Sequence, residues 1–465
     1  MQITTRGYVL IPSTFLLVVL KPRTLVYLLI LFLSFQVTGV LNIEKYEFSL
    51  QIYKLLIIII AIRFIIETLT FKKMVFSDAG LYRIALVGAL FTFYSLFMSL
   101  ILPNIFSGVP VFVPHLGIDY SAIYGPQPLV FSFYNIVAPL YIVFYYLTLL
   151  YIITRRWTKK DLKLVENLFV MAFWINFIVS ISQFMTSFLH FSLDITPFFY
   201  NILQREYSIS SFIIPRLQGL FQEPSMFAPL LVGFFSWAFY QTIEFRKKIY
   251  FVFSILTLIM IFFTISTTAY ISVVVMTVII ILHSKFIKFD FRKIAINLNK
   301  MTTIFLIIAL TICIVIIFAS LFIRWQNITK IINFAIFKKT ETSSFKNRAI
   351  SDIHALKLFI QTYGLGVGLG SNRPSSLITY LLSQLGFVGT LLFFIFVLKI
   401  ITYTKLRLKK SHFMGYYFLV PAVIISQILS YPDITNPTLW EFIYIAIIAS
   451  ISQKKQDIEA NKGVC

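Results

Sequence analysis

The sequence has few charged residues and almost no cysteine. Asp, Glu, Lys and Arg make up 12% of the 465 residues, whereas soluble domains carry about 25%. Hydrophobic residues make up 59%, more than a soluble or a disordered chain accommodates. The two cysteines are Cys313, inside an apolar run, and the last residue, Cys465, so a structural disulfide is not expected. These scarcities exclude soluble, disordered and disulfide-stabilised proteins.

Long apolar runs divide nearly the whole chain. A run of about 18 or more apolar residues can cross a bilayer as a helix. Twelve such runs predict an all-α, polytopic membrane domain over residues 1–465. They are residues 24–41, 50–70, 82–102, 129–152, 164–188, 216–241, 249–264, 266–283, 301–323, 376–398, 413–430 and 437–452. The shorter apolar segment 8–20 contains Pro12 and predicts a thirteenth span, a re-entrant segment or an interfacial helix.

Acidic residues are scarce relative to basic ones, with 18 Asp and Glu against 40 Lys and Arg and a net charge of +22. Such an excess can indicate a nucleic-acid partner. However, most of the basic residues fall in one alternating set of loops, for example at Arg155–Arg156, Arg246–Lys248 and Lys409–Lys410. Basic residues concentrate in cytoplasmic loops. We therefore predict that both termini are cytoplasmic, including the tail 453–465, and expect no nucleic-acid partner.

One outer loop departs from this charge rule. Residues 324–375 contain two acidic residues, Glu341 and Asp352, against eight basic ones. The basic residues are Arg324, Lys330, Lys338, Lys339, Lys346, Arg348, Lys357 and Arg373. Outward-facing positive charge makes sense if the loop meets an anion, since arginine binds phosphate through paired hydrogen bonds. The alternative is a solvated amphipathic surface.

Two further features of this loop concern single side chains. Asp352 follows Arg348 by four residues, a spacing that predicts an ordinary helical ion pair. His354 is a candidate acid/base, but a lone histidine is more often structural. Neither feature identifies a reaction by itself.

A second polar motif, Arg216-Leu-Gln-Gly-Leu-Phe-Gln-Glu-Pro-Ser225, opens the predicted span 216–241. In a helix, Arg216 and Glu223 would share one face, about 10 Å apart along the axis. An ionisable residue within a span is costly and by default indicates function. The alternative is that Glu223 braces a neighbouring helix against a basic residue. Pro224 predicts a kink.

Alternating glycines precede the predicted span 376–398. They are Gly364, Gly366, Gly368 and Gly370, followed by Ser375 and Ser376. This spacing predicts a flexible backbone that can approach a ligand closely. The segment lacks the Gly-Lys-Ser/Thr of a P-loop and the strand, helix and later acid of a dinucleotide site. Taken alone, it is weak evidence for a ligand.

Metal-ligand patterns are missing from the sequence. It contains no His-Glu-x-x-His motif and no cluster of cysteine and histidine, and the outer loops contain no Asp/Glu pair at metal-ligand spacing. We therefore expect a metal-independent chemistry.

Together these features resemble the Wzy-type O-antigen polymerases of the O-antigen ligase/polymerase superfamily. The topology covers nearly the whole chain, and the motifs cover mainly 216–235 and 345–390. Each motif is short, but their order and placement make the combination fairly specific. The matching residues are Arg216, Gln222, Glu223, Pro224 and Ser225, then Arg348 and Gly364 in an Arg-x15-Gly pattern, then Gly366, Gly368, Gly370, Ser375, Ser376, Gly386 and Gly389.

The resemblance implies a GT-C-like helical fold and a metal-independent glycosyltransferase of the bacterial inner membrane. Its substrate would be an oligosaccharide repeat unit on undecaprenyl diphosphate, and it would need no cofactor. The growing chain would leave its lipid diphosphate and join a new unit at the periplasmic face. Its partners would be membrane lipids and the flippase, chain-length regulator and ligase of the same pathway. A capsule or exopolysaccharide polymerase is a related alternative.

Such a reaction assigns roles to the polar residues. The leaving diphosphate needs its charge stabilised, and the acceptor hydroxyl needs orientation or deprotonation. We expect Arg348 and Arg373, together with Arg216, to hold the diphosphate. Glu223 is the candidate base, and its alternative role is a salt bridge that positions Arg216 or Arg348.

Three other functions compete with a polymerase. A lipid A-core ligase would carry a His-Asn-type pair where this chain has Ser375-Ser376. A polysaccharide flippase or other transporter should show two similar halves and charges at the membrane midplane, and no internal repeat is visible. A non-catalytic membrane scaffold would leave Glu223 and Arg348 dispensable.

Overall fold

The structure is a computed structural model that describes most of the chain. The described residues are 2–4, 7–13, 22–44, 48–71, 74–113, 125–191, 195–202, 216–245, 247–284, 287–290, 293–296, 343–409, 411–430 and 432–462. The predicted span 301–323, both cysteines, and the basic residues from Arg324 to Lys339 lie outside them. Of the segment 8–20, residues 8–13 are described and helical.

The described chain is mostly helical. Its helices are α1 (Pro22–Phe32), α2 (Ile52–Phe71), α3 (Ala79–Ile105), α4 (Tyr134–Ile153), α5 (Lys159–Leu189), α6 (Thr196–Phe199), α7 (Pro224–Phe245), α8 (Lys248–Thr264), α9 (Thr267–His283), α10 (Ser343–Gln361), α11 (Leu377–Leu408), α12 (Leu419–Leu429) and α13 (Pro437–Lys462). A 3-10 turn, Met414–Phe418, precedes α12. The helix α13 continues into the predicted tail 453–465.

Short antiparallel strands form three small sheets at the ends of the helices. The first sheet has the order β1 (Gln2–Ile3), β2 (Gly39–Ile43) and β3 (Phe48–Gln51). The others pair β4 (Pro110–Val111) with β5 (Gln127–Pro128), and β6 (Ile287–Asp290) with β7 (Lys293–Ile296). In the first sheet, Leu41 pairs with Leu50.

Five of the described helices are long and apolar enough to cross a membrane, namely α3, α4, α5 up to Ser187, α7 and α11. Shorter apolar helices occur at Arg23–Phe32, Lys248–Thr264, Thr267–His283 and Met414–Leu429. α2 is long enough but carries Lys54, Arg63 and Glu67, and Glu67 pairs with Arg63 and Arg155. The chain therefore has the character of a multi-pass, mostly helical membrane protein.

The predicted span 24–41 is too long at its C-terminal end. α1 ends at Phe32, a turn follows, and β2 begins at Gly39. Phe35 and Val37 are buried without being helical. An apolar run indicates that a segment is buried, but it does not distinguish a buried turn and strand from a buried helix.

Two helices form the centre of the bundle. The apolar stretch of α7 is 100% buried within the protein. Around it pack α8, α9, α12 and α13. α13 also contacts α4, α5 and α11, and its side chains from Leu439 to Ser452 are buried. By contrast, α3 exposes large apolar side chains such as Phe93. α7 and α13 are thus the core, and helices such as α3 form the outer layer.

Contacts between loops gather the helix ends into two groups. In one group, Asp78 before α3 accepts a hydrogen bond of 3.0 Å from Arg407 near the end of α11. In the other, the amide of Gln36 after α1 donates to the carbonyl of Leu220 before α7, at 3.1 Å. The first group contains residues of loops predicted to be cytoplasmic, and the second contains residues at predicted outer ends of spans. The candidate residues before α7 belong to the second group.

The alternating glycines form a glycine strap, residues 364–370, that lies across a kink in α11. All four glycines have positive φ, and α11 is kinked at Gly386, where φ is 65°. The amide of Val367 donates to the carbonyl of Ser383 at 2.9 Å. Only glycine lets two backbones approach this closely with positive φ. The close approach predicted from the sequence is made to the backbone of α11.

Gly370→Ala is expected to destabilise the fold. A Cβ there would lie 2.4 Å from the carbonyl oxygen of Tyr134, in a backbone with φ of +81°. Gly108→Ala is the matched control, since Gly108 has φ of +86° but no atom within 4 Å of the added Cβ. Left-handed backbone alone costs about 1–2 kcal/mol, and overpacking adds about 1–3 kcal/mol. Thermal unfolding in detergent should show the larger drop in Tm for Gly370→Ala, and equal drops would contradict the packing argument.

Candidate functional site

The motif 216–225 folds as a tight loop followed by a helix, so the single helix predicted from the sequence is wrong. Residues 216–223 are not helical, and α7 begins at Pro224. Gly219 has φ of 55°, in the left-handed region. Proline is favoured at the first helical position, where a missing N–H costs nothing. Pro224 therefore starts α7 and does not kink it.

Side chains of α5 hold this loop in place. The Oε1 of Gln183 accepts hydrogen bonds from the amides of Gln218 and Gly219, at 3.1 and 3.0 Å. The Oδ1 of Asn176 accepts from the amide of Leu220 at 3.0 Å. These amides are taken by α5, which explains why the loop does not continue α7 as a helix. The sequence alone did not single out Gln183 or Asn176. Two amide side chains two helical turns apart in an apolar span do, however, indicate a polar contact on one face of the helix.

Arg216 lies against the end of α8. Its Nε donates to the carbonyl of Thr264 at 3.0 Å, and its Nη2 donates to that of Ile265 at 3.1 Å. These carbonyls form the negative end of the helix dipole, which favours a cation. Burial, together with the positive charge of Arg348, lowers the pKa of Arg216 to about 10. Arg216 therefore remains protonated at neutral pH.

Glu223 occupies the N-terminal end of α7. Its carbonyl accepts from the amide of Met226 at 3.0 Å, and the hydroxyl of Ser225 donates to its carboxylate at 3.2 Å. The positive end of the helix dipole favours a negative charge there. Glu223 and its neighbour Gln222 are partly buried, so the carboxylate is not fully covered by protein.

Arg348 reaches the same end of the bundle from α10. Its Nη1 donates to the hydroxyl of Ser430 at 2.6 Å, just after α12. Within the described part of the chain, Arg348 forms no ion pair. Its guanidinium is partly buried and keeps further donors that this one neutral partner does not use. Ser430 is a contact that the sequence did not indicate.

Three charged residues from separate segments therefore come together. The charges of Arg348 and Glu223 both act on Arg216, as does the hydroxyl of Tyr270 in α9. Among the described residues of this cluster, two guanidinium groups and one carboxylate together carry one net positive charge in a partly buried place. Such an arrangement favours an anion, which relieves the repulsion between the arginines. The same cluster contains the carboxylate of Glu223, which can accept a proton.

Asp352 caps α11 and does not pair with Arg348, so the predicted helical ion pair is wrong. Its Oδ1 accepts from the amides of Ser375 and Ser376, at 2.7 and 3.0 Å, and from the hydroxyl of Thr379 at 2.7 Å. These amides belong to Ser376, the N-cap of α11, and to the residue before it, so the carboxylate lies at the positive end of the helix dipole. Ser375 and Ser376 thereby tie the start of α11 to the helix that carries Arg348.

Asp352→Ala is expected to loosen this connection and to lower Tm. Loss of a helix cap costs about 0.5–2 kcal/mol, and here three hydrogen bonds depend on one oxygen atom. Asp352→Asn is the matched control, because its amide oxygen can still accept these bonds. We expect a smaller drop in Tm for Asp352→Asn than for Asp352→Ala in thermal unfolding. If the alanine variant unfolds at the wild-type temperature, the capping role is wrong.

Arg373 is anchored through its backbone. Its amide donates to the carbonyl of Phe112 at 3.0 Å, and its carbonyl accepts from the hydroxyl of Ser351 at 2.7 Å. Its side chain is partly buried. These bonds fix Arg373 between α10 and the loop that follows α3.

His354 lies on a different side of α10 from Arg348. The two positions are six residues apart, which is about 120° around a helix. The ring of His354 packs on Phe112, with centroids 4.6 Å apart. Burial and the charge of Lys357 lower the pKa of His354. Its Nδ1 is buried without a hydrogen-bond partner within the described residues. The structure thus leaves His354 outside the cluster of Arg216, Glu223 and Arg348.

The backbone amides of the glycine strap bond other parts of the protein and are not available to a ligand at this cluster. The amide of Gly370 donates to the Oε1 of Gln384 at 2.7 Å, and that of Gly368 donates to the carbonyl of Gln384 at 2.8 Å. The amide of Gly366 donates to the hydroxyl of Thr362. Their donors are thus occupied by protein. The described residues include no group of three or more His, Cys, Asp or Glu that could hold a metal ion.

Comparison with known proteins leaves the site to be interpreted from its own geometry. The chain matches no protein-family model, no curated protein and no solved structure.

Proposed function

We propose that this chain is a Wzy-type polymerase of O-antigen or a related surface polysaccharide. It would join oligosaccharide repeat units linked to undecaprenyl diphosphate, at the outer face of the bacterial inner membrane. The observation that carries the proposal is the convergence of Arg216, Glu223 and Arg348 at one end of the helical bundle. A diphosphate on a lipid is an anion that can reach such a site from the membrane.

The proposed reaction moves a growing chain onto a new unit. The acceptor hydroxyl oxygen attacks the anomeric carbon that carries the diphosphate, and a new glycosidic bond forms. The bond between that carbon and the diphosphate oxygen breaks, and its electron pair leaves with the diphosphate. The hydroxyl proton passes to the carboxylate of Glu223. The products are a lengthened saccharide on one lipid and a free lipid diphosphate.

The arginines would stabilise the leaving group. Charge grows on the diphosphate oxygen as the bond breaks, and fixed donors aimed at that oxygen lower the barrier. Arg348 has unused donors for this role, whereas two donors of Arg216 are taken by the end of α8. We therefore assign the direct contact to Arg348 and a supporting charge to Arg216 and Arg373.

The finer topology belongs to the same proposal. Twelve spans, a GT-C-like arrangement and cytoplasmic termini would make residues 324–375 a large periplasmic loop. A helix lies in each predicted span that the structure describes, and the span 301–323 is outside the described residues. The loop would then present Arg348 to the compartment in which lipid-linked repeat units are joined. A flippase, a chain-length regulator and a ligase would act beside it.

Deletion of the gene from its host, with complementation, tests the proposed function. Surface polysaccharide is separated on a gel, which resolves chains by their number of repeat units. A polymerase requires loss of the long-chain ladder while one unit stays attached to the core. Loss of even that single unit would indicate a ligase or a flippase. An unchanged ladder would indicate a scaffold or another pathway.

A further inference from the structure

The exposed face of α10 is apolar. Five large apolar side chains are exposed along it, and Ile353 and Ile360 are 55% and 73% exposed. The others are Phe345, Ile350 and Leu356. Their positions fall within less than half of the helix circumference. Tyr363, just after the helix, is 89% exposed.

Three polar residues of α10 face the protein instead. Arg348 bonds Ser430, and Asp352 bonds the start of α11. Ser351 is buried and bonds the carbonyl of Arg373. A helix at the surface of a soluble protein has the opposite arrangement, with polar side chains in water. The exposed face of α10 is thus suited to an apolar surrounding.

The position of α10 matches the boundary of the membrane. Asp352 binds the two amides that immediately precede α11, a helix long and apolar enough to cross a membrane. α10 therefore lies level with the point at which α11 begins. Leu358, on the inner face of α10, packs with Val111 and Leu129 of the loops that follow α3 and precede α4. Both helices also have the character of membrane spans.

Two lysines lie on the same exposed face. Lys346 and Lys357 are exposed among the apolar side chains. Lysine stems pack along apolar surface while their ammonium groups reach outward to water or phosphate. Helices that lie in a membrane interface combine these features, with apolar residues among acyl chains and basic residues at anionic headgroups.

We propose that α10 is an interfacial helix that lies on one leaflet of the bilayer, which is the outer leaflet in the topology proposed above. Phe345, Ile350, Ile353, Leu356 and Ile360 insert among the acyl chains, and Lys346 and Lys357 contact lipid phosphates. The occupant of this face is lipid rather than water or protein. The proposal does not depend on the reaction that the chain catalyses.

Spin-label accessibility of the full-length chain in lipid nanodiscs tests this placement. Cys313 and Cys465 are replaced by serine, and a nitroxide is attached at Ile353→Cys or, independently, at Ile360→Cys. Oxygen concentrates in acyl chains, and a water-soluble nickel chelate is excluded from them. Phe93→Cys, on the outer layer of α3, is the reference for lipid, and Lys160→Cys, before the apolar part of α5, is the reference for water.

Each outcome decides the placement. Both labels on α10 should show an oxygen-to-nickel ratio near that of Phe93→Cys and well above that of Lys160→Cys. A ratio near the water reference overturns the proposal. Low access of both probes shows that protein covers the face, and also overturns it. Spin–spin broadening between labels shows that a second copy of the chain covers the face, and it also overturns the proposal.

Charge reversal tests the lysines. Lys346→Glu with Lys357→Glu should lower the oxygen-to-nickel ratio at Ile353→Cys, and the loss should be larger in nanodiscs containing phosphatidylglycerol than in pure phosphatidylcholine. An equal ratio before and after charge reversal in both lipids would show that the lysines do not contact headgroups. That result would overturn their part of the proposal.

Discussion

Arg348→Ala is expected to abolish the long-chain ladder and to slow chain extension by about 100- to 1,000-fold, the usual cost of losing one donor to a developing anion. The physical reason is that Arg348 forms no ion pair within the described residues and bonds only the neutral hydroxyl of Ser430. Its charge is therefore available to a diphosphate. The rate is measured with purified protein in nanodiscs and a lipid-linked repeat unit.

Two variants separate the charge of Arg348 from its geometry. Arg348→Lys keeps the charge but loses the planar fork that binds phosphate through two hydrogen bonds, so we expect an intermediate rate. Lys160→Ala is the control for an exposed basic residue away from this site, and it should extend chains at the wild-type rate. A full ladder from Arg348→Ala in a stably folded protein would remove Arg348 from the site.

Glu223→Gln is expected to slow chain extension by about 100- to 10,000-fold if the carboxylate acts as the base. Glutamine preserves the size of the side chain and its bond from Ser225, so the loss should come from the missing charge. Glu244→Gln, at the opposite end of α7, is the matched control and should leave the rate unchanged. Chain extension is again measured with purified protein.

The same variant distinguishes a base from a residue that only positions Arg216. A base must be deprotonated, so the wild-type rate should fall in acid, and this fall should vanish in Glu223→Gln. If Glu223 acts only through Arg216, then Arg216→Ala already removes the effect of Glu223. Adding Glu223→Gln to Arg216→Ala should then cause no further loss of rate. A Glu223→Gln variant with a full ladder would rule out both roles.

The sequence predicts where the helices lie better than it predicts which residues contact one another. Apolar runs locate most helices because a membrane helix must be apolar along its length. They fail at residues 33–41, where a turn and a strand are buried in the same way. The motif before α7 fails for another reason, because its conformation depends on Gln183 and Asn176, which lie far away in the sequence.

The candidate site shows the same limit. The spacing of Arg216 and Glu223 predicts that they are close, but the helix assumed for that prediction is not formed. The spacing of Arg348 and Asp352 predicts an ion pair, yet Asp352 accepts hydrogen bonds from the amides of Ser375 and Ser376 before α11. Local spacing cannot reveal a competing partner that tertiary structure brings near. Arg348 stands out by its sign, since a cation in a predicted outer loop requires a reason, and its role stays a prediction.

Because α7 is buried within the protein, the thickness of the membrane should have little effect on the residue at its N-terminal end. A helix with lipid around it responds to a thinner or thicker bilayer by tilting, but α7 has no apolar stretch in contact with lipid. Glu223, at its end, is therefore held in a frame of protein. Arg348 belongs to α10, whose exposed face borders the membrane. In the proposed reaction, lipid composition should thus affect the binding of the diphosphate by Arg348 before it affects proton transfer to Glu223.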